Sequence, residues 1–309
     1  MFSQFFGHYL LNRGLINADQ LKDALELQQS THVKLGVLAV NEGFMTSSQV
    51  EAVHEKQKQV DKRFGELAVE LSYLTEEQVE KMLSTQKHHH LQLAQALVDR
   101  EYMTIDAFSQ ALATYKKEYG LSDEKFEAIK SGDIEALVDS LLTVSSEEQK
   151  TYFTDYLSLF AKNMIRFIDG QLHFEISPLK GVLEAKYYVS QEITGEKPLY
   201  TAIAADEKTF LAMASAYAEE ELTEMDEMAA ASVSEFLNLH NGIFLVNMSN
   251  IGIELEMKPQ QFKEKVEITG TDTSYVVTVY TSKGSFKLML CDTPEKFPRL
   301  RELTRSTEM

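Results

Sequence analysis

The chain reads as α+β: an all-α array of four tandem helical hairpins, followed by a domain in which helices pack on an antiparallel sheet. Two observations predict it. Four segments share one 29-residue register, marked by Gly7, Gly36, Gly65 and, in the fourth, Ala94; a fixed period of this length means one supersecondary unit stacked on its own copies. Beyond Gly170 the apolar period shortens to two, with Leu172, Phe174 and Ile176 alternating with polar residues. That is the pattern of half-buried strands.

Each element of the register has a physical reason. A second glycine stands seven residues after the first (Gly14, Gly43), replaced by Ser72 and Glu101 in copies three and four. Asn17, Thr46, Thr75 and Thr104 follow, and in three copies a glutamine comes three residues later (Gln20, Gln49, Gln78). Asn or Thr with Gln at this spacing is a capping box that satisfies the orphan donors of a new helix. Apolar residues then recur at helical spacing (Ile16, Leu21, Ala24, Leu25; Met45, Val50, Val53), and Gln28, Gln57 and Gln86 close the first three copies. Each copy is therefore a short helix (9–13 and 37–42 in the first two), a left-handed glycine that ends it, and a capped longer helix. No single copy can bury its apolar face, so the four pack together as a domain over 1–118.

Residues 119–144 read as a helical, acidic connector divided by Gly132. The α+β domain spans 145–309. It opens with a helix over 145–168, capped by Ser145 or Ser146, whose apolar stripe is Tyr152, Phe153, Tyr156, Leu157, Phe160, Met164 and Phe167. Strands are expected over 172–176, 185–193 and 199–204, the last two joined by a Gly195-Glu196 turn. Asp206 caps a helix through Tyr217, and Asp226 caps another through His240, which Asn241-Gly242 breaks. Strands return over 252–257, 265–269, 274–281 and 285–290, the last pair joined at Lys283-Gly284.

Composition narrows the function classes. A chain of 309 residues holds two or three domains. A cytoplasmic location is expected, since the chain shows no signal-peptide pattern and no apolar run near the ~18–20 residues of a membrane span. The single Cys291 excludes an internal disulfide and suits a reducing compartment. A net charge of −18 argues against binding a nucleic acid polymer. The acidity is uneven, −4 over residues 1–120 and −14 beyond. It peaks at Glu219, Glu220, Glu221, Glu224, Asp226 and Glu227, a solvated surface or a face that steers a basic partner.

No zinc-ligand spacing, phosphate loop or nucleophile elbow is present. His88, His89 and His90 are adjacent and splay around a helix axis, so they read as a polar junction between copies rather than a metal site. Cys291 reads as core. The candidate that remains is the segment DEMAAASVSEFLNLHNG, in which Glu235 and Asn238 are three apart and share one helix face. A carboxamide can hold a water by donor and acceptor at once, and a carboxylate can anchor a partner's cation. That pair suits hydrolysis of an already activated bond, where positioning the water is most of the task.

The segment from about 187 to 262 resembles the CheX branch of the chemotaxis phosphatases. The likeness is carried by the strand ending near Ala205, the helix DEKTFLAMASAYA, the acidic link, SEFLNLHNG and the strand GIELEMKP. It implies that Glu235 grips the lysine of a phosphorylated, CheY-like response regulator while Asn238 orients the attacking water. It also implies a homodimer with no cofactor of its own, Mg²⁺ coming with the regulator. The related CheC carries two such helices. Only one Glu-x-x-Asn is found in this domain, and Ala231 replaces the small polar or acidic residue of CheC-type motifs, which favours CheX.

The repeat half resembles the N-terminal domain of type II secretion and pilus ATPases, including the MshE type that binds cyclic di-GMP. Copy one reads FFGHYLLNRGLINADQLKDALELQ and copy two KLGVLAVNEGFMTSSQVEAVHEKQ. The resemblance implies nucleotide contacts at Gly7, Gly14, Gln28, Lys34, Leu35, Gly36, Gly43 and Gln57. Phe5 and Lys34 stand where that motif has the Arg that packs on a guanine; Arg63 restores it in copy three, where Ser72 interrupts the glycine pair. The expected function is thus a CheX-like phosphatase with a sensing or docking domain. The alternative is a non-catalytic signalling module that binds cyclic di-GMP or a protein, its CheX-like half serving for dimerisation.

Overall fold

The computed structural model describes residues 2–28, 30–60, 62–84, 89–144, 146–271, 273–293 and 299–302. It divides into two units, Met1–Ser140 and Leu141–Met309. Gln86, His88 and Ser145, named above, lie outside the described residues.

The described part of the first unit contains only helices: α1 (Phe2–Asn12), α2 (Ala18–Gln28), α3 (Leu35–Asn41), α4 (Ser47–Gln57), α5 (Phe64–Glu70), α6 (Glu76–Ser84), α7 (His89–Asp99), α8 (Ile105–Glu118), α9 (Asp123–Ser131) and α10 (Ile134–Leu141). The first helix is longer than the expected 9–13. Phe2, Phe5, Phe6, Tyr9 and Leu10 are all buried, a complete helical stripe that carries the helix back to Phe2. Side-chain caps open the longer helices. Asn17 and Gln20 exchange two 2.9 Å bonds; the Thr46 and Thr75 side chains accept from Gln49 N and Gln78 N, and Thr104 accepts from Ala107 N.

The two kinds of marker position do different work. Gly14 and Gly43 are left-handed (φ 66° and 70°), and Ser72 and Glu101 take the same conformation (φ 60° and 56°). At all four sites the next residue donates to a carbonyl five back, as in Leu15 N to Leu10 O and Tyr102 N to Leu97 O. Gly7, Gly36 and Gly65 end nothing, since each lies inside a helix. A Cβ on Gly7 would come within 2.5 Å of Leu21, one on Gly36 within 2.8 Å of Val50 and one on Gly65 within 3.1 Å of Val79. These glycines let the following helix pack close. The segment expected as a connector packs into this unit, the Phe126 ring lying 6.2 Å from Phe2 and 6.4 Å from Tyr115.

The second unit is an antiparallel sheet with α11 (Glu147–Phe167), α12 (Glu207–Ala218) and α13 (Glu227–Asn250). Its strands are β1 (His173–Pro178), β2 (Val182–Gly195), β3 (Leu199–Ala205), β4 (Leu255–Met257), β5 (Gln261–Thr269), β6 (Ser274–Thr281), β7 (Gly284–Cys291) and β8 (Arg299–Glu302). The order is β1-β6-β7-β3-β2-β5-β8, with β4 paired to β2. The helices cover the face that carries Tyr275, Phe286 and Thr201, and Phe153 and Phe160 pack on the first two. The alternate residues Tyr188, Tyr200, Ala202, Ala204, Val276, Met289 and Cys291 form a second buried cluster with Leu179, partly buried Leu300 packing against it. Cys291 is therefore core.

The strands expected from 185 and 265 begin earlier, at Val182 and Gln261, and the boundary that bears on the site is overturned. The helix opened by Asp226 does not break at Asn241-Gly242 but continues to Asn250. Asn241 is fully buried and spends its amide on distant side chains rather than on a local cap. A Cβ on Gly242 would meet nothing closer than Met257 Cε at 3.7 Å. The strand expected over 252–257 is correspondingly short, beginning at Leu255, because Gly252 is left-handed (φ 83°) in the turn after α13.

Candidate active site

Helix α13 sets the site. Asp226 accepts from Ala229 N at 2.8 Å, and its negative charge meets the positive end of the helix dipole. The inner side is buried through Ala229, Val233, Phe236, Leu237, His240, Asn241 and Phe244. The outer side carries Met228, Glu235, Asn238, Gly242 and Val246, Met228 and Val246 being 46% and 61% exposed.

Glu235 and Asn238 meet as expected from their spacing. Asn238 Nδ2 donates to Glu235 Oε2 at 3.3 Å, with Glu235 exposed and Asn238 partly covered. Burial first, and then the Glu235 charge, push the nearby Tyr217 phenol above its ordinary value. Gly242, seven residues from Glu235 and four from Asn238, leaves the helix surface beside the pair without a side chain.

Beneath the pair lies a polar cluster that the sequence reading missed. Gln191, on β2, donates through Nε2 to Asn238 Oδ1 at 2.9 Å and to the Lys258 carbonyl at 3.0 Å. Asn241 Nδ2 donates to Gln191 Oε1 at 2.8 Å and to Thr201 Oγ1 at 3.0 Å. Tyr156, on α11, donates its hydroxyl to Asn241 Oδ1 at 2.8 Å. Gln191 and Thr201 face each other across the β2–β3 ladder. One signal could have found Gln191: in β2, Val189, Gln191 and Ile193 share a period-two face whose apolar members are fully buried.

His240 adjoins this cluster and is fully buried. Its ring stands edge-on to Tyr156 and Phe160, with centroids 4.5 and 5.2 Å away. Burial pushes its pKa down to about 3, so at neutral pH it is uncharged and Asn163 Nδ2 donates to its Nδ1 at 3.1 Å.

No protein-family profile and no curated protein matches this chain. Solved structures do. Structural neighbours of the C-terminal half are CheX- and CheC-like chemotaxis proteins. A chemotaxis protein CheX from Desulfovibrio desulfuricans aligns at 14% identity with a TM-score of 0.38, over 45% of this chain and 97% of that one. A chain of the CheX–CheY–BeF3–Mg²⁺ complex from Borrelia burgdorferi aligns at 19% identity and 0.35, over 49% and 98%. FliY from Thermotoga maritima aligns at 16% identity and 0.34, over 48% and 91%.

The residues named for a nucleotide are scattered in role. Gly7 and Gly36 lie under Leu21 and Val50, while nothing stands within 4 Å of a Cβ at Gly14 or Gly43. Lys34 pairs with Asp99 at 2.7 Å, and Leu35 lies 3.2 Å from a Cβ on Gly65. Gln57 Nε2 donates to the Lys62 carbonyl at 3.1 Å, and Gln28 Oε1 is buried without a hydrogen-bond partner among the described residues. The described residues include no group of three His, Cys, Asp or Glu placed to hold a metal ion; His88 lies outside them.

Proposed function

We propose that the second unit is a CheX-like phosphatase that hydrolyses the phosphoaspartate of a chemotaxis-type response regulator. The observation that carries this reading is the Glu235–Asn238 pair, a carboxylate and a carboxamide side by side on the outer face of a capped helix, the amide tethered from below and open above. In this reading Glu235 grips the regulator's lysine, and Asn238 holds water through its remaining amide hydrogen and carbonyl lone pair. The water oxygen bonds to phosphorus as the bond to the regulator's carboxylate breaks. The water's proton ends on phosphate or in solvent, leaving inorganic phosphate and a free carboxylate. Mg²⁺ comes with the regulator, and this chain contributes position. Exposed Met228 and Val246 at the two ends of the face give the regulator apolar surface to bury.

Residues 1–118 are read as four tandem hairpins that dock a partner. The recurring glycine contacts fourteen residues on (Gly7 to Leu21, Gly36 to Val50, Gly65 to Val79) and the four left-handed helix ends support the tandem array. Calorimetry of the full chain with cyclic di-GMP tests the nucleotide alternative: no heat removes the sensor reading, and heat of binding overturns docking as the role of this unit.

The test of the phosphatase is release of inorganic phosphate from a phosphorylated regulator of the same organism. Asn238→Ala is expected to slow turnover by about a hundred-fold, the scale of a misplaced reactant. Undiminished turnover in that variant overturns the assignment.

A further inference from the structure

Resting on the phosphatase reading, we propose that Gln191 is a positioning residue that fixes which end of the Asn238 carboxamide meets the attacking water, its own direction being set by the main-chain carbonyl of Lys258. A main-chain carbonyl only accepts hydrogen bonds. Gln191 Nε2 stands 3.0 Å from that oxygen, so the NH₂ end of Gln191 is the end on that side. The same nitrogen is 2.9 Å from the Asn238 side chain. Since NH₂ donates, the Asn238 atom that meets it is Oδ1. That turns Nδ2 outward to Glu235 Oε2 at 3.3 Å.

The other end of Gln191 is fixed as firmly. Its Oε1 accepts from Asn241 Nδ2 at 2.8 Å, and the second hydrogen of that amide goes to Thr201 Oγ1 at 3.0 Å. Asn241 Oδ1 accepts from the Tyr156 hydroxyl at 2.8 Å. Burial holds the Tyr156 phenol far above its ordinary pKa, so it keeps the proton it donates. The donors therefore point one way, from Tyr156 through Asn241, Gln191 and Asn238 to the carboxylate of Glu235. Hydrogen bonds aligned in series polarise one another, and a carboxylate is the natural last acceptor. Asn238 is left with one lone pair on Oδ1 and one hydrogen on Nδ2, on a known side each. An untethered carboxamide would rotate by half a turn and offer the two in exchanged places.

The experiment compares wild type, Gln191→Met (similar volume, no donor) and Asn238→Ala in the full chain. Steady-state phosphate release is measured against regulator concentration. In the free protein, ¹⁵N relaxation of the Asn238 side-chain amide is recorded. In Gln191→Met, kcat is expected to fall about ten- to a hundred-fold. KM for the phosphorylated regulator should change less than roughly two-fold, because the loss lies in the transition state. The Asn238 amide is expected to be as ordered as the backbone in wild type and mobile in the variant. A mobile wild-type amide overturns the proposal even if Gln191→Met does not fold. So does unchanged kcat, or a rise in KM alone, in a folded Gln191→Met. Wild type without turnover, or an unimpaired Asn238→Ala, overturns the phosphatase reading instead, and the amide measurement then still decides whether Gln191 orients the Asn238 carboxamide.

Discussion

Ser72 and Glu101 occupy a backbone conformation that suits glycine, and replacing them with glycine should stabilise the first unit. Their φ values of 60° and 56° match the 66° and 70° of Gly14 and Gly43 at the corresponding helix ends. Both side chains are exposed. A side chain in the left-handed region costs about 1–2 kcal/mol. Glycine gives back about 0.4–1 kcal/mol through the greater freedom of its unfolded chain. The balance is a gain of about 0.5–1 kcal/mol at each site. The reverse change isolates the same effect: no atom lies within 4 Å of a Cβ on Gly43, so Gly43→Ser should lose a similar amount to backbone strain alone. The assay is urea unfolding of the full chain followed by circular dichroism at 222 nm. With a slope of about 2 kcal/mol per molar urea, Ser72→Gly should raise the midpoint of the first unit by about 0.3–0.5 M. An unchanged or lowered midpoint in Ser72→Gly, together with a neutral Gly43→Ser, would refute the reasoning.

Two further outcomes follow from the second unit. Asn241→Ala removes three buried side-chain hydrogen bonds, to Tyr156, Gln191 and Thr201. At about 1 kcal/mol each, plus the stranded partners, it should cost about 3–4 kcal/mol in urea unfolding, whereas Val246→Ala on the exposed face should stay within about 0.5 kcal/mol. His240 is held uncharged by burial, its pKa lowered from 6.5 to about 3. Below about pH 6.5 the unfolded chain takes up a proton that the folded state refuses, so this contribution to stability is complete above that pH and shrinks as pH falls toward 3. By pH 5 the loss should be about 2 kcal/mol. His240→Phe should flatten the fall between pH 6.5 and pH 5, and an equally steep profile in that variant would show that another group is responsible.

What could be read from the sequence was what local chemistry decides. The caps at Asn17, Thr46, Thr75, Thr104, Asp206 and Asp226 depend on a side chain and a backbone amide three residues away, and all six form. The Glu235–Asn238 pair is equally local, because a spacing of three fixes a shared helix face. Gly14 and Gly43 were legible for the same reason. The misreadings come from partners far along the chain. Asn-Gly is a strong local signal for ending a helix, but Asn241 is claimed by Gln191, Thr201 and Tyr156, 40 to 85 residues away. At Gly7, Gly36 and Gly65 the register shows only a recurring glycine. What approaches them is the side chain fourteen residues on. Gln191 shares a period-two face with Val189 and Ile193, but its partners Asn238 and Asn241 lie 47 and 50 residues along the chain.

The polar cluster under α13 also bears on what this helix is for. A core that merely held α13 against the sheet could place leucine or methionine at 191 and 241. Replacing both partners of a buried hydrogen bond by apolar groups of the same shape can be nearly neutral or stabilising. Tyr156, Thr201, Gln191 and Asn241 bring four polar side chains into a region where Phe160, Phe236 and Phe244 are fully buried. Each unpaired member would be costly there. Apolar packing fixes where a helix lies but gives no direction to a planar amide on its far side, because a methyl group does not distinguish oxygen from NH₂. Hydrogen bonds do. A chain of amides that begins at a phenol, takes its sense from the Lys258 carbonyl and ends at an exposed carboxylate carries directional information from the core to one surface residue. Asn238 is where that information arrives, so the buried amides are better accounted for by the orientation of Asn238 than by the stability of the fold.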